Sequence, residues 1–174
     1  MKDLSSCRRI ADIATGTGDL AKALNRQAEL LYGTRPRLYG TDFTHEMVEQ
    51  ARIKFPDDNF HWLDGDGMEL PFPDNTFDAL TVGFGLRNMC DKNSALIEMT
   101  RVLRPGGRMA ILEFGNPSNP IIRTLNDFYS RRLLPRIGSI ISGTDAYLYL
   151  AKSIHGFWNE DQLARHMRQS GLVN

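Results

Sequence analysis

Gly16, Gly18, Asp12, Asp42 and Asp66 have residue types and spacings that can hold a small ligand. Gly16-Thr17-Gly18-Asp19-Leu20-Ala21 is a G-x-G-x-x-A turn, and small residues there let a ligand approach the backbone closely. Asp42 lies 24 positions beyond Gly18, where a carboxylate can accept from two ribose hydroxyls. Together they point to an adenosine-containing cofactor. Separately, the turn is an ordinary βα connection, and Asp42 is a carboxylate favoured by a helix N-terminus by about 0.3–1 kcal/mol. A nicotinamide dinucleotide and S-adenosylmethionine satisfy the pair equally. Asp12 and Asp66 tilt the choice toward the methyl donor. Asp12 interrupts an apolar run; a carboxylate buried there needs a partner and, near a cofactor, favours a cationic amino-acid moiety. It can equally pin the loop through backbone hydrogen bonds. Asp66, in Gly65-Asp66-Gly67, can accept from an adenine amine or simply belong to a turn.

These residues need strand ends to carry them. Apolar runs alternate with helical patterns, the signature of an α/β, Rossmann-like fold with an open, mostly parallel sheet and helices on both faces. Strands are predicted over 9–14, 38–41, 60–63, 77–82 and 108–114, and helices over 19–31, from a Thr44 cap onward, over 93–103 and over 160–169. Arg104-Pro105-Gly106-Gly107 reads as the turn before the fifth strand. Right-handed crossovers place the C-terminal strand ends along one edge, where such sheets bind ligands.

The chain of 174 residues reads as one domain over 1–174, with a helical lid or substrate segment over about 117–157. Its 21 basic and 21 acidic residues cancel, so the basic excess of a nucleic-acid binder is missing. Cys7 and Cys90 stand far apart, which argues for reduced thiols and against a metal site. No apolar run nears the roughly 20 residues of a membrane span, and MKDLSSCRR is no signal peptide. The expected location is cytoplasmic.

Longer phrases narrow the choice. Arg101-Val102-Leu103-Arg104-Pro105-Gly106-Gly107 resembles a block before the fifth strand of class I methyltransferases. The strings at 12–19 (DIATGTGD), 70–78 (LPFPDNTFD), 84–88 (FGLRN), 112–114 (LEF), 127–130 (DFYS) and 134–138 (LPRIG) resemble the ubiquinone/menaquinone biosynthesis C-methyltransferase family over nearly the whole chain. That resemblance implies methyl transfer from S-adenosylmethionine, leaving S-adenosylhomocysteine. The acceptor would be a ring carbon of a polyprenyl quinol, either demethylmenaquinol or a 2-methoxy-6-polyprenyl-1,4-benzoquinol. The cofactor set is then Asp12, Ala14, Gly16, Thr17, Gly18, Asp42, Phe43, Met47, Asp66, Gly67 and Gly83. Gly83 stands where the family usually has serine, a lost hydrogen bond of about 0.5–1.5 kcal/mol. Met47 packs on the adenine face or is a core methionine.

A quinol ring becomes a carbon nucleophile as its hydroxyl loses a proton, and a cation beside the developing phenolate would stabilise it. Arg87, just past the fourth strand, is the candidate catalytic residue, acting on charge or through a water. The other reading is an arginine tying its loop to a neighbouring carboxylate. Asn88, Asp127, Tyr129, Asp145 and Tyr147 are the substrate-pocket candidates. The run 121–136 mixes apolar residues with Arg123, Arg131, Arg132 and Arg136; it reads as a membrane-surface segment or as a lid helix with solvated arginines.

The expected partners are a lipophilic quinol, an inner-membrane surface (facing the mitochondrial matrix in a eukaryote), and a second copy or other quinone-biosynthesis proteins. Family members carry a helical segment before the first strand and a C-terminal β-hairpin after the last helix, both missing here, so the expectation includes a fragment, a split protein or an edge-paired dimer. Three alternatives stand beside the transferase: a cofactor-binding assembly protein without turnover, another small-molecule methyltransferase, and a nicotinamide-dependent oxidoreductase.

Overall fold

Alternation along the strands decides which side chains meet which helix. The computed structural model describes residues 7–114, Ser153 and 156–173. The strands are β1 (Arg9–Ile13), β2 (Arg37–Asp42), β3 (Phe60–Asp64), β4 (Phe77–Gly83) and β5 (Leu103–Leu112). All pair in parallel, in the order β3-β2-β1-β4-β5. The helices are α1 (Asp19–Tyr32), α2 (His45–Lys54), α3 (Lys92–Val102) and α4 (Glu160–Gln169). The α/β sheet expected from the sequence is therefore present, with its order reversing between β1 and β4, the switch point at which such sheets bind ligands.

Register lines up Ala79, Ile10, Leu38 and Phe60 across four strands. With Trp62, Ala21 of α1, and Val48 and Ala51 of α2, they form one buried cluster. Trp62 explains two glycines: a Cβ on Gly40 would lie 2.4 Å from its ring, and one on Gly18 2.6 Å. The alternate positions Ala11, Ile13, Leu80 and Val82 point to the other face and are buried as well. The α3 residues Ala95, Leu96, Met99 and Val102 are also fully buried.

Three local features depart from the predicted pattern. Arg104–Gly107 is part of β5 instead of a turn before it. Pairing jumps from Phe77↔Leu103 to Ala79↔Arg108, so extra β5 residues bulge out where Pro105 has no N–H and Gly106 adopts φ 77. Helix α3 is capped by Asp91, whose side chain accepts from the Asn93 and Ser94 amides. A one-turn 3-10 helix, Leu86–Asn88, follows β4 where only a loop was expected.

By contact the chain divides into two compact units, one of residues 1–113 with 170–172 and one of 114–169 with 173–174. In the second, Asn159 and Gln162 cap α4 reciprocally: the Gln162 amide donates to Asn159 Oδ1 at 2.9 Å, and the Asn159 amide to Gln162 Oε1 at 3.0 Å. The lid segment 117–157, apart from Ser153, Gly156 and Phe157, and the whole amphipathic run 121–136 lie outside the described residues. Among the described residues no helix is long and apolar enough to cross a membrane.

Candidate cofactor-binding site

A cavity of about 490 Å³ opens at the C-terminal ends of β1, β2 and β4. Its lining includes Ala14, Asp42, Phe43, Asp66, Gly67 and Asn88 from the predicted set. Its other lining residues were not among the predicted site residues: Thr44 (read as a helix cap), Gly65, Phe84 and Gly85 (read within motifs), Cys90 (read as a reduced thiol), and Met68 and Met89, which had no reading. Two roomier hollows of about 610 and 580 Å³ lie elsewhere, one along β3 and the 55–58 loop and one at the starts of β1 and β2. Neither is at the switch point.

Asp42 holds the site together. Its Oδ2 accepts from the Gly16 amide at 2.8 Å and its Oδ1 from the Thr44 amide at 2.9 Å. The end of β2 thus grips both the glycine turn and the start of α2. An ionised carboxylate has about four lone-pair positions, so both oxygens keep acceptor capacity toward the cavity. Asp66 sits in a tight turn in which Oδ1 accepts from the Met68 amide at 2.9 Å, and its own carbonyl accepts from the Glu69 amide at 3.0 Å.

Strain marks the same place. Ala14 and Phe84, directly after β1 and beside the end of β4, adopt φ 54 and 58, left-handed values that cost a non-glycine residue about 1–3 kcal/mol. Gly85 lets the two segments meet, since a Cβ on it would lie 2.3 Å from that of Ala14. Both strained residues line the cavity.

Other predicted residues are not among those lining the cavity. Asp12 is 1% exposed, and its oxygens accept from the Thr15 and Thr81 hydroxyls, each at 2.6 Å. Burial pushes its carboxyl above the ordinary value, outweighing the hydrogen bonds that lower it. Those bonds make Asp12 a strut between β1, its loop and β4. Gly16 meets the site through Asp42, and Gly18, at φ 82, begins α1. Thr17 donates its hydroxyl to Asp19 at 2.8 Å. Met47 is 37% exposed in the first turn of α2, so the core-methionine reading does not apply. A Cβ on Gly83 would lie 2.9 Å from Leu20 Cδ2, putting that position against α1.

Arg87 has a carboxylate beside it. Its Nη1 donates to Phe84 O at 2.6 Å and forms an ion pair with Glu113, whose Oε2 also accepts the Arg87 amide at 3.1 Å. Glu113 was not singled out from the sequence; the available signal was a carboxylate directly after the apolar strand 109–112. Thr81 was missed in the same way, as a lone hydroxyl within Ala79-Leu80-Thr81-Val82. Asp127, Tyr129, Asp145 and Tyr147 lie outside the described residues.

The lining fits an adenosyl-sulfonium ligand by the chemistry of its groups. Two carboxylates suit ribose hydroxyls and an exocyclic amine, while Phe43, Met68, Phe84 and Met89 supply apolar surface. Among the described lining residues there is no Lys, Arg or His. A cation fits this charge pattern.

The family model described as the ubiE/COQ5 methyltransferase family matches residues 2–174. The ubiquinone/menaquinone biosynthesis C-methyltransferase UbiE of Hahella chejuensis is 42% identical over 168 residues, covering 94% of this chain and 66% of that protein. The demethylmenaquinone methyltransferase of Deinococcus radiodurans is 40% identical over 170 residues, covering 96% and 68%. This chain thus spans about two thirds of the length of these relatives. Among solved structures, the YcgJ protein of Bacillus subtilis superposes with a TM-score of 0.69 at 24% identity, over 97% of this chain and 64% of that one. A SAM-dependent methyltransferase from Aquifex aeolicus gives 0.65 at 19% identity, over 95% and 72%. At these identities the structural likeness speaks to the fold.

Proposed function

Because the chain belongs to the ubiE/COQ5 methyltransferase family, we propose that it moves a methyl group from S-adenosylmethionine to a ring carbon of a polyprenyl quinol, as the names of its relatives imply for those proteins. The observation that carries this reading is the cavity at the β1/β4 switch point, lined by Asp42 and Asp66 with no basic described side chain. When bound, the cofactor supplies an electrophilic methyl on a positively charged sulfur.

The protein's part is to hold and orient. Asp42 accepts from the ribose hydroxyls while keeping its grip on Gly16 and Thr44. Asp66 accepts from the adenine amine, and Phe43 and Met47 flank the ring. Holding two reactants in line can remove about 7–11 kcal/mol of a barrier. Arg87 brings positive charge to the ring oxygen as its proton leaves. Asn88, in the cavity lining, belongs to the quinol side, and the basic, apolar sequence of 121–136 suits a membrane surface that carries a lipid-tailed substrate.

The purified chain, given methyl-labelled S-adenosylmethionine and a short-tailed demethylmenaquinol, is expected to yield a ring-labelled product by mass spectrometry. No label, while a full-length relative labels the same quinol, would overturn the assignment. A second reading, binding without turnover, is favoured by one observation: the Arg87 charge is balanced by a nearly buried Glu113. Calorimetric binding of S-adenosylhomocysteine in the absence of any methylated product would select it.

A further inference from the structure

We propose that Glu113 is a positioning residue for this reaction. Its single carboxylate grips Arg87 by main chain and side chain, and so sets both the guanidinium and the cavity wall from Phe84 to Met89. The inference rests on the role given to Arg87 above. It is carried by three contacts that converge on one short segment. Glu113 Oε2 accepts the Arg87 amide at 3.1 Å, Oε1 accepts from Nη1, and the same Nη1 donates to Phe84 O at 2.6 Å. The Phe84 amide in turn donates to Leu112 O at 2.8 Å. The end of β5 is thereby laced to the chain leaving β4 around a residue at φ 58. The side chains of Arg87 and Glu113 are 9% and 2% exposed, so water competes little for these bonds. Phe84, Gly85, Asn88 and Met89 all line the cavity.

The grip needs a carboxylate, because both groups facing it from Arg87 are donors. An amide offers one acceptor and turns its own donors toward the other N–H. Aspartate keeps the charge but withdraws it by one methylene.

The chain and its Glu113→Gln, Glu113→Asp, Arg87→Gln and Glu113→Gln/Arg87→Gln variants are compared in kcat with a short-tailed demethylmenaquinol, and in amide hydrogen exchange of the peptide spanning 83–91. Glu113→Gln is expected to lower kcat at least tenfold and to raise exchange in that peptide at least fivefold, with β1 peptides unchanged. Glu113→Asp gives intermediate values of both. Adding Glu113→Gln to Arg87→Gln lowers kcat less than twofold further. Losses in kcat that multiply in the double variant, or unchanged exchange over 83–91, overturn the proposal. Where Glu113→Gln does not fold, Glu113→Asp is read alone: raised exchange over 83–91 supports the proposal and unchanged exchange overturns it. If the unsubstituted chain methylates no quinol, the reaction assigned above fails, and hydrogen exchange alone decides the positioning role.

Discussion

At Asp42 both carboxylate oxygens accept from backbone amides, whereas at Asp66 it is Oδ1 that accepts, from the Met68 amide. Amide substitutions therefore separate architecture from ligand binding. Asp42→Asn leaves Gly16 or Thr44 facing an NH₂ group, which should cost about 1–3 kcal/mol in urea unfolding and weaken S-adenosylhomocysteine binding. Asp66→Asn keeps an oxygen for the Met68 amide, so stability should stay within about 0.5 kcal/mol while affinity falls at least fivefold. Equal loss of stability in the two variants would contradict this division. Asp12 makes a pH-dependent prediction. Burial raises its folded-state carboxyl above the unfolded value, so the folded chain holds this proton more tightly. As pH rises from the ordinary Asp value through the folded one, the unfolded state releases the proton first, and stability falls. Asp12→Asn cannot ionise, so its melting temperature relative to the unsubstituted chain should climb as pH rises above the ordinary Asp value; a flat difference would refute the assignment.

Between elements, the decisive contacts are made by side chains that bridge a strand end to a connection. Arg101, in the last turn of α3, donates to Glu98 and Asp74, each at 2.6 Å, to Phe72 O at 2.9 Å and to Leu70 O at 3.3 Å. It clamps the β3–β4 connection to α3, and the hydrogen bonds it donates to both carboxylates hold its guanidinium well above its already high ordinary value. A lysine ammonium cannot reproduce that fan of directions. Arg101→Lys should therefore cost about 1–3 kcal/mol of stability, read from the urea midpoint. The close approach of β1 and β4 supplies a second test. Gly85 has an ordinary φ of −104, so alanine there strains nothing in the backbone; its Cβ only collides with Ala14. Gly85→Ala should cost about 1–3 kcal/mol and widen the cavity floor enough to abolish S-adenosylhomocysteine binding measured by calorimetry. Unchanged affinity would mean that the gap between these strands does not shape the site.

For the molecule as a whole, ligand-dependent melting separates the cofactor readings. A ligand that binds only the folded state at 100 times its dissociation constant adds about 2.7 kcal/mol, or about 5–10 °C in melting temperature for a chain of this size. S-adenosylhomocysteine is expected to produce that rise, and NAD none, because the chain belongs to a methyltransferase family. A rise with NAD alone would reverse the reading. Salt should change the S-adenosylhomocysteine effect little, since Asp42 and Asp66 are only partly exposed.

Local patterns in the sequence were enough for the βα alternation, the glycine turn after β1, Asp42 at the end of β2 and helix α4, because apolar period, turn residues and caps act over a few positions. They also pointed to Asp66 beside the cavity, since a Gly-Asp-Gly turn after a strand is local too. Other features depended on which strands become neighbours. The Asp12 bond to Thr81 spans 69 residues and the Arg87 bonds to Glu113 span 26, and the bulge that absorbs Arg104–Gly107 exists only in register with β4. The exposure of Met47 likewise follows from how α2 lies on β2 and β3. A side chain's partner is set by strand order, register and direction together, and these are long-range properties. The chain alone therefore identified which residues could do chemistry, and only the folded sheet decided that Asp12 is a strut and that Arg87 is held by Glu113.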